Sequence, residues 1–464
     1  MTQTRREFLR YSAATTCTLA VPSTVLAQGS FDELTARVAR QQLLPDTYPA
    51  TEIWGYGGTV PAPEIRVRQG GRVQRRFRNE LPQPSSVHWH GIRIENAMDG
   101  VSGLTQDAVA PGASFDYDFA APDAGTYWYH AHNRSHEQVA RGLRGALIVE
   151  EPNGPDVDRE EVLMLEDWLL DPETGQHFAD FDQPMMMSHG GRIGNFVTTN
   201  GLYDLSMPAR KNERIRLRVI NASGARIFPL TLSGLEGWTL ALDGMPQPSP
   251  ERIDGVLILG PAQRMDLVVD VTADQGSVAQ VLRIGDDDQP VPQVSFPVEG
   301  LASLATRAAP APLEPNPKSA MPDLAGARDL RLVMAGGAMG RMQSALLGGE
   351  RLGFRQLAGA GRFWSFNDVA EMTETPLADL SINEPVRLKI DNQTVFPHAM
   401  HLHGMHFREV RADGALGPMR DTILMAGNET REIAFVADNP GKWLFHCHML
   451  SHAASGMTTW VRVV

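Results

Sequence analysis

The chain has 464 residues, 21% of them charged, and a formal net charge of −13 at neutral pH. Taken at roughly 150 residues per domain, that length corresponds to about three domains, whose cores need no disulfide staples. The acid excess and the lack of a basic block exclude a nucleic-acid-binding protein, because like charge repels phosphate backbones.

The first residues read as a targeting segment. "TRREFLR" holds Arg5, Arg6, Phe8 and Leu9, an apolar stretch runs from Tyr11 to Leu26, and "VLA" precedes Gln28. A charged region, an apolar region and a small-residue cleavage site follow in order. The apolar part is too short and too rich in threonine to span a membrane, so the mature chain is expected to have no membrane span. The segment resembles a twin-arginine export signal. That resemblance implies passage through the twin-arginine machinery, cleavage near Ala27 and a periplasmic mature protein. Of the 2 cysteines, Cys17 leaves with the signal and Cys447 remains alone. The mature chain then has no internal disulfide, and a lone thiol in an oxidising compartment calls for an occupant such as a metal ion.

After the signal, "FDELTARVARQQL" (31–43) has the best helical periodicity and is read as a helix. Elsewhere apolar and polar residues alternate, as in "RVQRRFRN", "RIRLRVIN", "VLILGPAQRMDLVVDV", "PVRLKIDN" and "REIAFVAD", and 43 Gly and 32 Pro punctuate the runs. The pattern predicts an all-β chain of sandwich domains. Three of these segments align: "RRFRNELP", "RLRVINAS" and "RLKIDNQT", anchored on Asn79, Asn221 and Asn392. Nine and eleven residues after Asn79 stand His88 and His90, and the same offsets from Asn392 give His401 and His403. From Asn221 they give Leu230 and Leu232. Five and seven residues after Gly125 stand His130 and His132; after Gly441, His446 and His448. The middle segment offers Val281 and Arg283 there. The chain therefore reads as three copies of one β-domain, with ligands in the first and third. The expected boundaries are a signal over 1–27, domains over 28–152, 153–305 and 326–464, and a Pro/Ala-rich linker over 306–325.

Residues i and i+2 of a strand point to one face, so each H-x-H pair aims two imidazoles the same way. Four pairs from the two outer domains suit a cluster of several ions, and imidazole fits copper, zinc, iron or nickel. Cys447 lies between His446 and His448 and points to the other face. With His398, His452 and Met457 it offers one thiolate, two imidazoles and a weak thioether, the ligand set of a blue-copper electron-transfer site. His136, His177, His189 and His406 fall outside the pattern and are read as ordinary core or surface histidines.

"HWHG", "YHAH", "HAMHLHG" and "HCHMLSHAASGM" together resemble the four copper motifs of the three-domain multicopper oxidases, a laccase-like family. The resemblance covers essentially the whole mature chain. It implies three cupredoxin-like Greek-key β-sandwich domains and four copper ions. His398, Cys447, His452 and Met457 match the type 1 ligands, and His88 and His401 those of type 2. His90, His130, His132, His403, His446 and His448 match the type 3 pair. Asp99 in "NAMDGV" matches a carboxylate that the family places beside the cluster, a proton relay. One position departs: many bacterial relatives carry an acidic residue just after the last type 1 histidine, where this chain has Ala453. "PMMMSHGG" and "GGAMGRMQ" are read as packing or loop residues rather than as a methionine-rich insertion. The implied activity is one-electron oxidation of phenolic or related aromatic reductants at type 1 copper, coupled to reduction of dioxygen to water. A metallo-oxidase of cuprous, ferrous or manganous ions in metal tolerance is the nearest alternative, and a non-catalytic scaffold is a remote one. A monomer is expected.

Overall fold

The computed structural model describes residues 31–320 and 324–464; the segment read as an export signal, with Arg5, Arg6 and Cys17, lies outside the described residues. Among the described residues the fold is almost wholly β, in seven sheets, and its α-helices span at most six residues. The stretch expected to be helical is instead the strand Asp32–Gln41. It pairs antiparallel with Thr51–Tyr56 and parallel with Arg72–Asn79. Leu34 and Ala36 are buried at spacing two, which the helical periodicity had masked. Ladder pairing on both edges outweighs a modest local helix preference.

The same sheet plan occurs three times. The first third has two four-stranded sheets, and the middle third has one of six strands and one of five. The last third has sheets of six and five strands plus a small hairpin. In each third a strand runs parallel to the one that ends in the anchor asparagine: Asp32–Gln41 beside Arg72–Asn79, Arg159–Trp168 beside Arg214–Asn221, and Arg328–Gly336 beside Glu384–Asn392. The asparagines explain their own recurrence. Asn79 accepts from the Leu81 N–H and donates to the carbonyls of Gln83 and Val109. Asn221 does the same with Ser223, Arg226 and Leu259, and Asn392 with Thr394, Phe396 and Ala426. Each side chain closes the turn that sends the chain into the ligand-bearing strand, or into its ligand-free counterpart.

The middle third departs from the repeat in register. Leu230 pairs with Arg283 and Leu232 with Val281, whereas His88 pairs with His130 and His401 with His446. The middle third also keeps its own apolar core, while buried residues of the first and last thirds join in one. Those outer thirds meet directly: Asn96 donates to the Lys442 carbonyl at 2.6 Å and Asn439 to that of Ile94 at 2.9 Å. The Pro/Ala-rich stretch docks through Leu313 and Asn316, both buried, and Asn316 bonds Ala124 through both its N–H and its carbonyl. Among the described residues no helix is long and apolar enough to cross a membrane.

"RIRLRVIN" alternates arginine with aliphatics, yet every residue of Arg214–Asn221 is buried. Its polar face lies against the first third. Arg216 meets Glu151 and Asp266, each at 2.5 Å, and Arg218 reaches Asp266 at 3.1 Å and Thr126 Oγ1 at 3.0 Å. Burial alone would raise the Glu151 carboxyl; Arg216 and Arg218 overcome it and hold the group at about 2. A depressed carboxyl stabilises the fold fully above its unfolded value near 4.5 and loses that contribution as pH falls toward 2. Denaturant midpoints measured from pH 5 to pH 3 are therefore expected to fall in the parent protein and to fall less in Glu151→Gln. Over this window the difference is on the order of 2 kcal/mol at most. Equal slopes would show that the network contributes nothing to acid sensitivity.

Candidate metal centres

Four short segments carry the histidines to one place. Val87–His90 pairs with Gly125–Ala131, and His398–Leu402 with Gly441–Cys447. Alternation sends His88 and His90 to one face and leaves Trp89 on the other, packed among Tyr117, Phe119 and Tyr129. Across the seam between the outer thirds the rings stack, His88 on His403 at 3.9 Å and His90 on His401 at 3.7 Å between centroids. The expected eight imidazoles thus share one pocket. Their ligand atoms cluster within 4.8 Å in three sets: His90, His130 and His448; His132, His403 and His446; His88, His401 and His90. A further set of the same reach joins His88 and His403 to Asp99.

The glycines after two of the pairs have a steric cause. Gly91 has φ +87°, and a Cβ there would strike the Arg264 guanidinium and the Asp421 carboxylate; at Gly404, with φ +67°, it would enter the Trp443 ring.

In most of the rings one nitrogen is tied and the other left over, whereas His448 has its Nδ1 buried without a partner and its Nε2 turned to His130. Nδ1 of His88 donates to the Asp99 carbonyl at 2.8 Å, His130 to Ala131 at 3.0 Å, His401 to Asp421 at 2.9 Å and His446 to Cys447 at 2.9 Å. The Asp99 carboxylate lies 3.1 Å from His403 Nδ1 and 3.2 Å from His88 Nδ1; that of Asp421 is 3.3 Å from His90 Nε2. His88 Nε2, His90 Nδ1, His132 Nε2 and His401 Nε2 are buried with no hydrogen-bond partner. His403 and His446 turn their Nε2 atoms to each other at 3.1 Å, and His130 and His448 theirs at 3.4 Å. Burial, reinforced by neighbouring histidines, holds His130, His403, His446 and His448 well below the ordinary imidazole value and His132 at about 3. Neutral rings with orphaned, converging lone pairs are what a cluster of metal ions would satisfy, and copper fits all-imidazole sites.

The second centre sits on the opposite face of the same strand. Cys447 Sγ is 3.5 Å from His398 Nδ1 and 3.8 Å from His452 Nδ1, and the two nitrogens are 3.0 Å apart. Met457 is buried beside them, its carbonyl accepting from the Cys447 N–H. Burial pushes the Cys447 thiol up to about 12, so a thiolate here requires a bound cation. One sulfur and two imidazole nitrogens within this reach suit copper.

Several contributors have no sequence signal. His452 Nε2 donates to the His189 carbonyl at 2.6 Å, so a histidine read as ordinary fixes a ligand ring through its backbone. The segment Pro184–Ser188 lies over this centre: Trp364 Nε1 donates to Met187 O at 2.6 Å and Ala338 N to Ser188 O at 2.8 Å. The two methionine-bearing loops therefore meet, with Met187 buried and Met185 and Met339 exposed. Arg264 grips Asp421 at 2.9 and 2.6 Å, both fully buried, and thereby braces His90 and His401. His177 sits against Trp168 and Phe181, and buried His406 is held down at about 4.

A β-sandwich protein whose histidine clusters and single buried thiol fit copper is, by class, a copper-dependent oxidoreductase. Models described as multicopper oxidase match residues 37–154 and 352–464. "Multicopper oxidase MmcO" of Mycobacterium tuberculosis is 30% identical over 455 residues, covering 89% of this chain and 83% of that protein. The structure of Lac15 from a marine microbial metagenome is 41% identical, with TM-score 0.76 and coverage of 94% and 100%. That of a multicopper oxidase from Pseudomonas thermotolerans is 32% identical, with TM-score 0.81 and coverage of 94% and 99%. The chain belongs to the multicopper oxidase family, enzymes that link oxidation of a reductant to dioxygen through copper centres.

Proposed function

We propose that the protein is a laccase-like oxidase, exported to the periplasm as a monomer, with cupredoxin domains over 28–152, 153–305 and 326–464. In this reading His398, Cys447, His452 and Met457 hold type 1 copper, and His88 and His401 hold type 2. His90, His130, His132, His403, His446 and His448 hold the type 3 pair. When bound, the coppers supply the redox chemistry, accepting electrons singly and delivering four to dioxygen to form two waters.

The observation that carries this reading is the placement of His446, Cys447 and His448. The sulfur belongs to one set of ligands and its two neighbours to the other, and the Cys447 carbonyl accepts from His446 Nδ1. That bond offers electrons a short covalent and hydrogen-bonded path between the centres. Asp99 orients His88 and His403 and stands where it can hold and pass a proton to reduced oxygen.

Substrate choice turns on the cover above His452. Its segments "PMMMSHGG" and "GGAMGRMQ" contain no carboxylate, so ferrous and manganous ions find no anionic oxygen ligand in them. Met185, Ile193, Met339 and Val395 are exposed, and Phe396 packs on the His189 ring, an apolar landing surface for an aromatic reductant. Cuprous ion is the second reading, favoured by the exposed thioether of Met185 in the segment that leads to His189. "Copper resistance protein A homolog" of Pseudomonas syringae pv. tomato is 26% identical over 88% of each chain.

Dioxygen consumption by the copper-loaded enzyme tests both readings, with a substituted phenol and with cuprous ion as donors. One dioxygen is expected per four phenols oxidised, without peroxide, and Asp99→Asn is expected to lower kcat about 100-fold with copper retained. Negligible phenol turnover in fully loaded enzyme, with rapid cuprous oxidation, would replace the first reading by the second.

A further inference from the structure

The histidine cluster borders a cleft of about 580 Å³, walled by all three thirds of the chain. Its floor includes His132 and His446; His132 is the partly exposed member of its set. Much of the wall is inert to protons: Leu444, Leu450, Ala453, Ala454, Met187 and Met372. Yet reduction of one dioxygen to two waters takes up four protons with four electrons. Among the described residues of the lining, His132 and His446 apart, the titratable or charged groups are Arg134, His136, Asp182 and Arg362. Both arginines stay charged at any working pH.

His136 and Asp182 form a built pair. His136 Nε2 donates to Asp182 Oδ1 at 2.9 Å, and Arg134 donates to the other carboxylate oxygen at 2.9 Å. His136 is only 7% exposed and its Nδ1 is buried with no partner, while the Asp182 side chain is 57% exposed. The pair is drawn from two thirds of the chain, 46 residues apart, and holds one tautomer with Nδ1 free to take a proton. Burial lowers the imidazole from its ordinary value and Arg134 adds to that; Asp182 and, more weakly, Glu137 pull it back up.

We propose that the His136–Asp182 pair loads protons for dioxygen reduction, taking them from solvent and releasing them into the cleft that ends at His132 and His446. An opening of the cleft wall admits a water to the buried Nδ1; the imidazole accepts a proton there, is held as imidazolium against the Asp182 carboxylate, and returns the proton to the cleft. Four such transfers balance the four electrons that arrive one at a time from the reductant: O2 + 4 H+ + 4 e− gives 2 H2O. Asp182 is a positioning residue and His136 the carrier. The proposal rests on the oxidase reading above.

The test uses copper-loaded protein reduced with dithionite and mixed with dioxygen in weak buffer containing a pH-indicator dye. In His136→Gln, proton uptake and reoxidation are expected to slow about tenfold or more. Reduction of the Cys447 centre by phenol, copper content and melting temperature should stay unchanged, and added imidazole should restore the rate. Asp182→Asn provides a second variant on an exposed residue. In the reduced, diamagnetic protein its His136 ring resonance should titrate at lower pH than in the parent. Unchanged proton uptake, slowing that imidazole does not rescue, or a His136 titration indifferent to Asp182 would each overturn the proposal. Fewer than four protons per dioxygen in the parent would instead defeat the water-forming reading, and the His136 titration would still decide whether the pair is coupled.

Discussion

Replacing Cys447 by serine is expected to give a protein without the intense visible band of a copper thiolate and with turnover reduced to background. The side chain is fully buried, within 3.5 Å of His398 Nδ1, and accepts from the Met449 N–H at 3.4 Å. Serine is smaller, so packing is little disturbed, but its hydroxyl is a hard, weakly acidic donor where a soft thiolate is needed. Electrons then lose both their entry point and the path through the Cys447 carbonyl to His446. The histidine sets are untouched, so they should keep their copper, visible as a retained type 2 signal in electron paramagnetic resonance. Chemically reduced Cys447→Ser should still consume dioxygen once, which separates lost entry from lost oxygen chemistry. Turnover near the parent rate would refute the assigned path.

Arg264→Met is expected to destabilise the copper-free protein by about 3–5 kcal/mol, read as a denaturant midpoint, the usual cost of orphaning a buried charge. Arg264 belongs to the middle third, and its guanidinium has no exposure to water. Besides Asp421 it donates to the carbonyls of Thr126 and Ala262, each at 3.1 Å. Losing it leaves Asp421 uncompensated, and Asp421 orients His90 through its carboxylate and His401 through its carbonyl. The loaded variant should therefore also show an altered type 2 signal. Arg264→Met/Asp421→Asn, which removes the orphaned charge, should recover part of the lost stability. A single-variant cost below about 1 kcal/mol would mean that water or a neighbour neutralises Asp421.

Which histidines would face one another was largely legible before any fold was known, because strand alternation is a local rule: H-x-H spacing, the anchor asparagines and the reversed Cys447 each act within a dozen residues of one another. Where the local signal was ambiguous it misled. The segment 31–43 carried helical periodicity and became a strand, since its two neighbours in the sheet come from later in the chain. Alternation left open what covers the arginines of "RIRLRVIN", which are buried in an ion network with Glu151 and Asp266.

By itself the sequence determined the all-β class, the recurrence of the anchor asparagines and the gathering of soft side chains that copper would suit. Only the tertiary structure decided what the middle third contributes: the Arg264 brace, the His189 carbonyl on His452 and the Asp182 partner of His136. Each acts across 46 residues or more, through a backbone carbonyl or a single ion pair. Such contacts leave no periodicity behind, because they depend on where two surfaces meet and not on how one strand is patterned.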